Sequence, residues 1–209
     1  MIQELDRDLF LFLNSLNSPF WDEVMYVISA KLTWVPLYLF MLALFIRGHG
    51  RKAIVIFLFA IAAITISDQT SVHAFKEVFM RLRPCREPAL EGLVHIVRGK
   101  CGGMYGFVSS HAANTFTIAL FSLFLVRQRW YTIAIIFWAT LVSYSRVYLG
   151  VHYPGDILGG AALGTVIGYL IWRAYNLTDI NLLRDIPWFK SRQSSKPLTP
   201  NPWSLVPDP

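Results

Sequence analysis

The sequence predicts an all-α integral membrane bundle of about five transmembrane helices, preceded by an N-terminal interfacial amphipathic helix, and three observations carry that prediction. Of the 209 residues, 55% are apolar and only 15% are charged, whereas soluble domains devote about a quarter of their residues to charge. Apolar runs close to the roughly 20 residues that a bilayer core requires recur at 22–46, 53–75, 111–126, 131–149 and 156–175. The net charge of +6 comes from Lys and Arg that punctuate these runs. A nucleic-acid surface would instead gather them on one soluble face, so nucleic acid is set aside as a partner.

Taken in order, the N-terminus Met1 to Asp6 lacks a basic leader, and the short apolar run Leu9 to Leu13 soon meets Asn14 and Asn17. No cleavable signal peptide is expected, and the first span is expected to target the membrane itself. Leu5, Leu9, Phe10, Leu13 and Leu16 recur at spacings near three and four, which describes either an amphipathic helix lying in the interface or a packed lead-in to the first span. The third run, 111–126, is short for a bilayer and is expected to extend past its basic end. Arg47, Arg51 and Lys52 separate the first two runs, Arg127 and Arg129 the third and fourth, and Arg173, Arg184, Lys190, Arg192 and Lys196 follow the fifth. The positive-inside rule assigns these to the cytoplasm. The connections 76–110 and 146–155 then share the extracytoplasmic side, although Lys76, Arg81, Arg83, Arg86, Arg98 and Lys100 in the first compete with that orientation and ask for a functional explanation. The membrane domain is read as residues 1–190, and the Pro- and Ser-rich stretch 191–209 as a disordered cytoplasmic tail.

Three blocks carry chemistry. In the first, Lys76 and Arg83 are seven residues apart, so a helix continuing to Leu82 would set them on nearly one face with Pro84 ending it; they could grip one phosphate, or be snorkelling interface cations. In the second, Ser109 or Ser110 suits the N-cap of the third span, whose first turn offers N–H groups to an anion with His111 beside them. In the third, Pro154 suits the first position of the fifth helix, bringing Arg146, His152 and Asp156 to its start. Asp156, four residues after His152, can accept from one ring nitrogen and leave the other with its lone pair outward, or merely complement the helix dipole.

Together, Lys76 with Arg83-Pro84, Ser109-Ser110-His111, and Ser145-Arg146 with His152 and Asp156 resemble the three-block signature of the type 2 phosphatidic acid phosphatase superfamily, which also includes the vanadium haloperoxidases. The resemblance covers 76–156 and the spans around it. It implies that His152 is the nucleophile that becomes a phosphohistidine, Asp156 its orienting partner and His111 the proton donor to the leaving oxygen. It further implies that Lys76, Arg83 and Arg146 hold the phosphate together with backbone amides near Ser109 and Ser110. The family pattern has proline and glycine flanking the serine where this chain has Val108 and Ser110, which puts the loop geometry and substrate fit in question.

The expected activity is therefore hydrolysis of a phosphomonoester or diphosphate on a membrane lipid, with no cofactor, since no carboxylate cluster suggests magnesium and cations with helix N-termini can stabilise the transferring group. Undecaprenyl diphosphate is the favoured substrate, with phosphatidylglycerophosphate, phosphatidate and a lipid A phosphate as alternatives. A transporter or flippase, or a phosphotransferase, would use the same anion pocket. The resemblance implies a bacterial cytoplasmic membrane with the site facing the periplasm. Two histidines needed in opposite protonation states predict a bell-shaped pH profile. Cys85 and Cys101 lie in the loop assigned outside the cytoplasm, where a disulfide is permitted without the spacing showing that the sulfurs meet. Gly160, Gly164 and Gly168 recur every fourth residue, a spacing suited to packing within the bundle or at a dimer face; oligomeric state stays open. Asp68 is expected to face the bundle interior or the site, and His49, His73 and His95 receive no role.

Overall fold

The computed structural model describes residues 1–179, so the tail 191–209 and the cations from Arg184 onward, expected on the cytoplasmic side, lie outside the described residues. The architecture is a helical bundle: α1 (Ile2–Ser15), α2 (Pro19–Ser29), α3 (Val35–His49), α4 (Ala53–Gln69), the short α5 (Glu77–Phe79), α6 (Ser110–Val126), α7 (Arg129–Tyr148) and α8 (Pro154–Thr178). By length and composition, the apolar stretch Lys31–Phe79 and α8 can cross a membrane, and α6 is a shorter apolar helix. Leu39, Phe57, Leu58, Ile133, Phe137, Leu158 and Leu170 stand exposed on the outside of the bundle, the outward apolar surface of a protein whose solvent is lipid.

The first apolar run, expected as one helix over 22–46, is two. After Ser29 the chain passes through an extended Ala30 and one tight turn at Lys31–Trp34 before α3 begins. Pro36 explains the break, because a proline cannot donate within a continuing helix and its ring would collide with the carbonyl four residues earlier. Side chains replace the lost bonds: Thr33 Oγ1 donates to the Val27 carbonyl at 2.7 Å and Trp34 Nε1 to that of Ile28 at 2.7 Å. Gly50, at φ +56°, then reverses the chain between α3 and α4, so Tyr38 and Ile64 come to line one cavity.

At its far end α4 continues through wide π-type turns, Thr70–Lys76, into α5 and stops at Met80 in the left-handed region. The expected continuation of the helix to Leu82 is therefore not what the chain does, and Pro84 does not end it. Residues 81–83 instead run extended against 104–106, with the Arg83 N–H donating to the Met104 carbonyl at 3.1 Å and that of Gly106 to Arg81 at 2.8 Å. A disulfide joins Cys85 to Cys101 just beyond this pairing, holding the base of the loop closed.

The first helix is tied to the bundle. Phe10 and Asn14 are fully buried, whereas Leu5, Leu9, Phe12 and Leu16 are exposed, so α1 presents one packed face and one apolar face outward. Asn14 Nδ2 donates to the carbonyls of Tyr148 at 2.8 Å and His95 at 3.1 Å, and its Oδ1 accepts from the His95 N–H at 2.8 Å. His95, unassigned from sequence, also pairs with Asp22 at 3.0 Å and so links the long loop to α2. Gly150, at φ +78°, passes so close that an added Cβ would stand 2.5 Å from the His95 carbonyl oxygen.

The tightest helix contact is between α6 and α8. A Cβ on Gly160, Gly164 or Gly168 would meet the carbonyl oxygens of Ser109, Ala113 and Thr117 at 2.5, 2.2 and 2.6 Å. The glycine repeat is thus spent inside the bundle, where it lets two backbones touch. Gly164→Leu should force α6 and α8 apart and cost about 1–3 kcal/mol or more; thermal unfolding in detergent should show a clearly lowered midpoint, and an unchanged midpoint would contradict this packing.

Candidate active site

His152 sits in the short α7–α8 connection, 1% exposed, with its Nδ1 3.3 Å from Asp156 Oδ2 and its Nε2 3.2 Å from Arg83 Nη1. A guanidinium is only ever a donor, so Nε2 must carry the lone pair and Nδ1 the proton. The tautomer is that of a nucleophile held by a carboxylate behind it. Burial, and then the positive charges of Arg83, Arg146 and Lys76, hold the His152 pKa well below the usual histidine range, so the ring is neutral in neutral solution.

Asp156 is the hub. It is fully buried at the start of α8, where its Oδ2 also accepts from the Tyr153 N–H at 3.0 Å and caps the helix. Its Oδ1 accepts from Arg81 Nη1 at 2.9 Å, and its backbone carbonyl from the Ser109 N–H at 3.0 Å. Dipole complement and histidine partner, the two readings of Asp156 from sequence, are roles of one carboxylate. Gly106 closes this corner, since a Cβ there would stand 2.8 Å from Asp156 Oδ2.

Two contributors escaped the sequence reading. Arg81 spans Asp156 and Asp6, donating to Asp6 Oδ2 at 2.7 Å while its guanidinium lies 4.1 Å above the Tyr153 ring. Asp6 Oδ1 accepts from the Gly155 N–H at 2.7 Å. The first helix is therefore wired to His152 through Asp6, Arg81 and Asp156. Arg81 lay inside the basic loop as one cation among several, and no local spacing joins it to a carboxylate 75 residues away.

A cavity of about 480 Å³ opens in front of His152. Of the residues expected from sequence, Lys76, Arg83, Ser110, His111, Arg146 and His152 all line it, Asp156 stands behind His152, and Ser109 does not reach it. Ser109 is a correction: it is fully buried as the N-cap of α6, its Oγ accepting from the Ala112 N–H and its own N–H given to the Asp156 carbonyl, so it does not face an anion in the cavity. Lys76 donates to Ser110 Oγ at 2.6 Å, and Ser110 Oγ lies 2.6 Å from Ser71 Oγ. Arg83 reaches the cavity from the extended pairing, anchored on the carbonyls of Tyr105 at 3.2 Å and Val151 at 3.3 Å; the shared helical face expected for Lys76 and Arg83 is replaced by convergence from two elements. Arg146 approaches from α7 and donates to Ser29 Oγ, while its Nε is buried without a hydrogen-bond partner among the described residues. Below the cations the wall turns apolar with Trp34, Tyr38, Ile64, Ile118, Trp138 and Val142.

Cations converging on a buried neutral imidazole above an apolar chamber, in a helical bundle with a lipid-facing exterior, define a membrane hydrolase that acts on phosphate. The chain belongs to the PAP2 superfamily, whose family model matches residues 51–179. It is 39% identical over 188 residues to a lipid A 4'-phosphatase of Bacteroides thetaiotaomicron, covering 89% of this chain and 84% of that protein. It is 30% identical to a putative undecaprenyl-diphosphatase of Escherichia coli, over 83% of this chain and 86% of the relative. Among solved structures it resembles a PAP2-type phosphatidylglycerolphosphate phosphatase of Bacillus subtilis with a TM-score of 0.61 and 25% identity, over 85% and 87% of the two chains. The protein is thus a lipid phosphatase of the PAP2 class.

Arg81→Ala should leave Asp156 buried without its cation, a loss that costs about 3–5 kcal/mol when a buried pair is broken. Arg81→Lys, which keeps the charge but cannot span two carboxylates, should lower kcat with little change in KM. Steady-state kinetics with both variants checks this, and an unaltered kcat in Arg81→Lys would contradict the bridge.

Proposed function

We propose that this protein hydrolyses a phosphomonoester on a sugar-bearing membrane lipid of the lipid A type, through a phosphohistidine on His152. The observation that carries the chemistry is the His152 tautomer, with Nε2 held as an acceptor by donor-only Arg83 and Nδ1 turned to Asp156. Lys76, Arg83, Arg146 and the Ser110 hydroxyl would hold the equatorial oxygens, where charge builds as phosphate transfers. Nε2 attacks phosphorus, the P–N bond forms, and the P–O bond to the lipid breaks as His111 delivers a proton to the departing oxygen. Water then attacks phosphorus as it gives one proton to His111, the P–N bond breaks with its electron pair returning to His152 Nε2, and inorganic phosphate leaves, which restores both histidines to their starting forms.

The substrate class rests on relatedness: similarity to the lipid A 4'-phosphatase is higher in identity, 39%, than to the putative undecaprenyl-diphosphatase, 30%. Undecaprenyl diphosphate, the substrate favoured from sequence alone, stays the second reading. It is supported by the E. coli relative and by Lys31, a further cation on the cavity wall. The five-span arrangement with its site on the extracytoplasmic face belongs to the same proposal, supported by the basic turns at Arg51-Lys52 and Arg127 at the opposite end from His152.

His152→Ala should abolish phosphate release from every lipid while the protein unfolds as cooperatively as before; retained turnover rejects the nucleophile. A phosphate-release panel in detergent, with chelator present, should rank a lipid A 4'-phosphate first, and loss of all activity in chelator would reject catalysis by these side chains alone. Because only neutral His152 can attack, and its pKa lies below the ordinary value of about 6.5, kcat/KM should hold as pH falls through about 6.5 and drop only at lower pH. An acidic limb above that value would contradict the buried, cation-flanked environment.

A further inference from the structure

The cavity contains a carboxylate that phosphate binding does not use. Along the cavity-facing line of the second span, Ile64, Asp68, Val72 and Lys76 follow at four-residue intervals, which stacks them on one face. Asp68 therefore lies about two turns below Lys76, at the level where the phosphate end gives way to the apolar chamber. Asn114, one turn beyond His111 on α6, faces it and donates Nδ2 to Asp68 Oδ1 at 3.2 Å. With its amide nitrogen turned to the carboxylate, Asn114 presents its Oδ1 the other way, and that oxygen is buried without a hydrogen-bond partner among the described residues.

Asp68, half-buried and lining the cavity, is the acceptor that a bound molecule can reach, and the Asn114 amide, its own oxygen buried, orients that carboxylate. Asn114 neighbours His111 by one helical turn on the cavity side, and so lies where the group attached to the leaving oxygen would be.

Resting on the proposed phosphatase reading, we infer that Asp68, held in place by Asn114, forms a leaving-group subsite that accepts hydrogen bonds from the hydroxyl or amide groups of a sugar. A polyol or an acylated amino sugar brings such donors. A diphosphate brings a second phosphate, which has acceptors only at neutral pH and whose negative charge meets the Asp68 carboxylate at short range. The pair therefore favours phosphate carried on sugar over phosphate carried on phosphate. It also gives Asp68 a use that matches its cost, since a carboxylate within a span is expensive unless it is engaged. Lys31, the cation that would suit a second phosphate, is exposed at the α2–α3 break, where water screens it.

The test is a ratio. kcat/KM for lipid A 4'-phosphate and for undecaprenyl diphosphate is measured on the same preparation of wild type, Asp68→Asn and Asn114→Ala, so that any inactive fraction cancels. Loss of a hydrogen bond to a charged group should lower the sugar-phosphate value about tenfold or more. In Asp68→Asn the diphosphate value should at the same time rise, because the repulsion is gone. Asn114→Ala should lower the sugar-phosphate value with a smaller effect on the diphosphate, and it carries the test if Asp68→Asn does not fold. A ratio equal to wild type in the folded variants overturns the subsite and leaves the phosphatase reading standing. Wild-type protein that cleaves the diphosphate but no sugar phosphate overturns both the lipid A reading and this subsite.

Discussion

A fully buried carboxylate at the start of α8 is the constraint around which this protein is organised. Asp156 cannot be left to its own desolvation, so the fold brings donors to it from every side: Arg81 from the long loop, His152 and the Tyr153 N–H from its own turn. Its main-chain carbonyl takes the Ser109 N–H, binding the start of α6 to the start of α8. Satisfying one charge thus fixes the tautomer of His152, caps a helix and aligns the two helix starts that flank the cavity.

Those helix starts can meet only because α8 presents glycine where α6 presents backbone. The contacts that Gly160 and Gly164 make with the carbonyls of Ser109 and Ala113 leave no room for a methyl group. Bare backbone contact replaces side-chain interdigitation, and the short distance is inherited by Ser110, His111 and His152 at the same end. Catalytic alignment and membrane packing are here one geometric fact.

The chamber divides its work by depth. Cations stand at its upper end, held on carbonyls or hydroxyls that keep them directed; the Asp68 carboxylate, held by Asn114, follows; aromatic and aliphatic walls complete the lower part. A phosphorylated lipid with a polar linker between phosphate and chains presents the matching sequence of groups, which is why the leaving-group level is the informative place to look for selectivity.

Much of this was legible in the chain. Helix positions followed from apolar runs and caps, because the 3.6-residue period and the choice of Ser, Pro or Gly at helix ends are local properties. His152 and Asp156 stood out because they lie one turn apart at a helix start, Ser110 and His111 because they open α6, and Lys76 and Arg146 through the resemblance of the three blocks to a known signature. Pro36 was visible too, yet its break at Ala30 went unread because hydropathy over 22–46 outweighs one residue in any averaged pattern. Tertiary structure decided what lies beyond local reach. Arg83 arrives on an extended pairing closed by a disulfide, not on a helix. Ser109 spends its donor on Asp156, and Asp6 reaches the site through Arg81 across 75 positions. Spacing encodes which atoms share a turn; which buried donor answers which buried acceptor is settled only when distant segments are packed against each other.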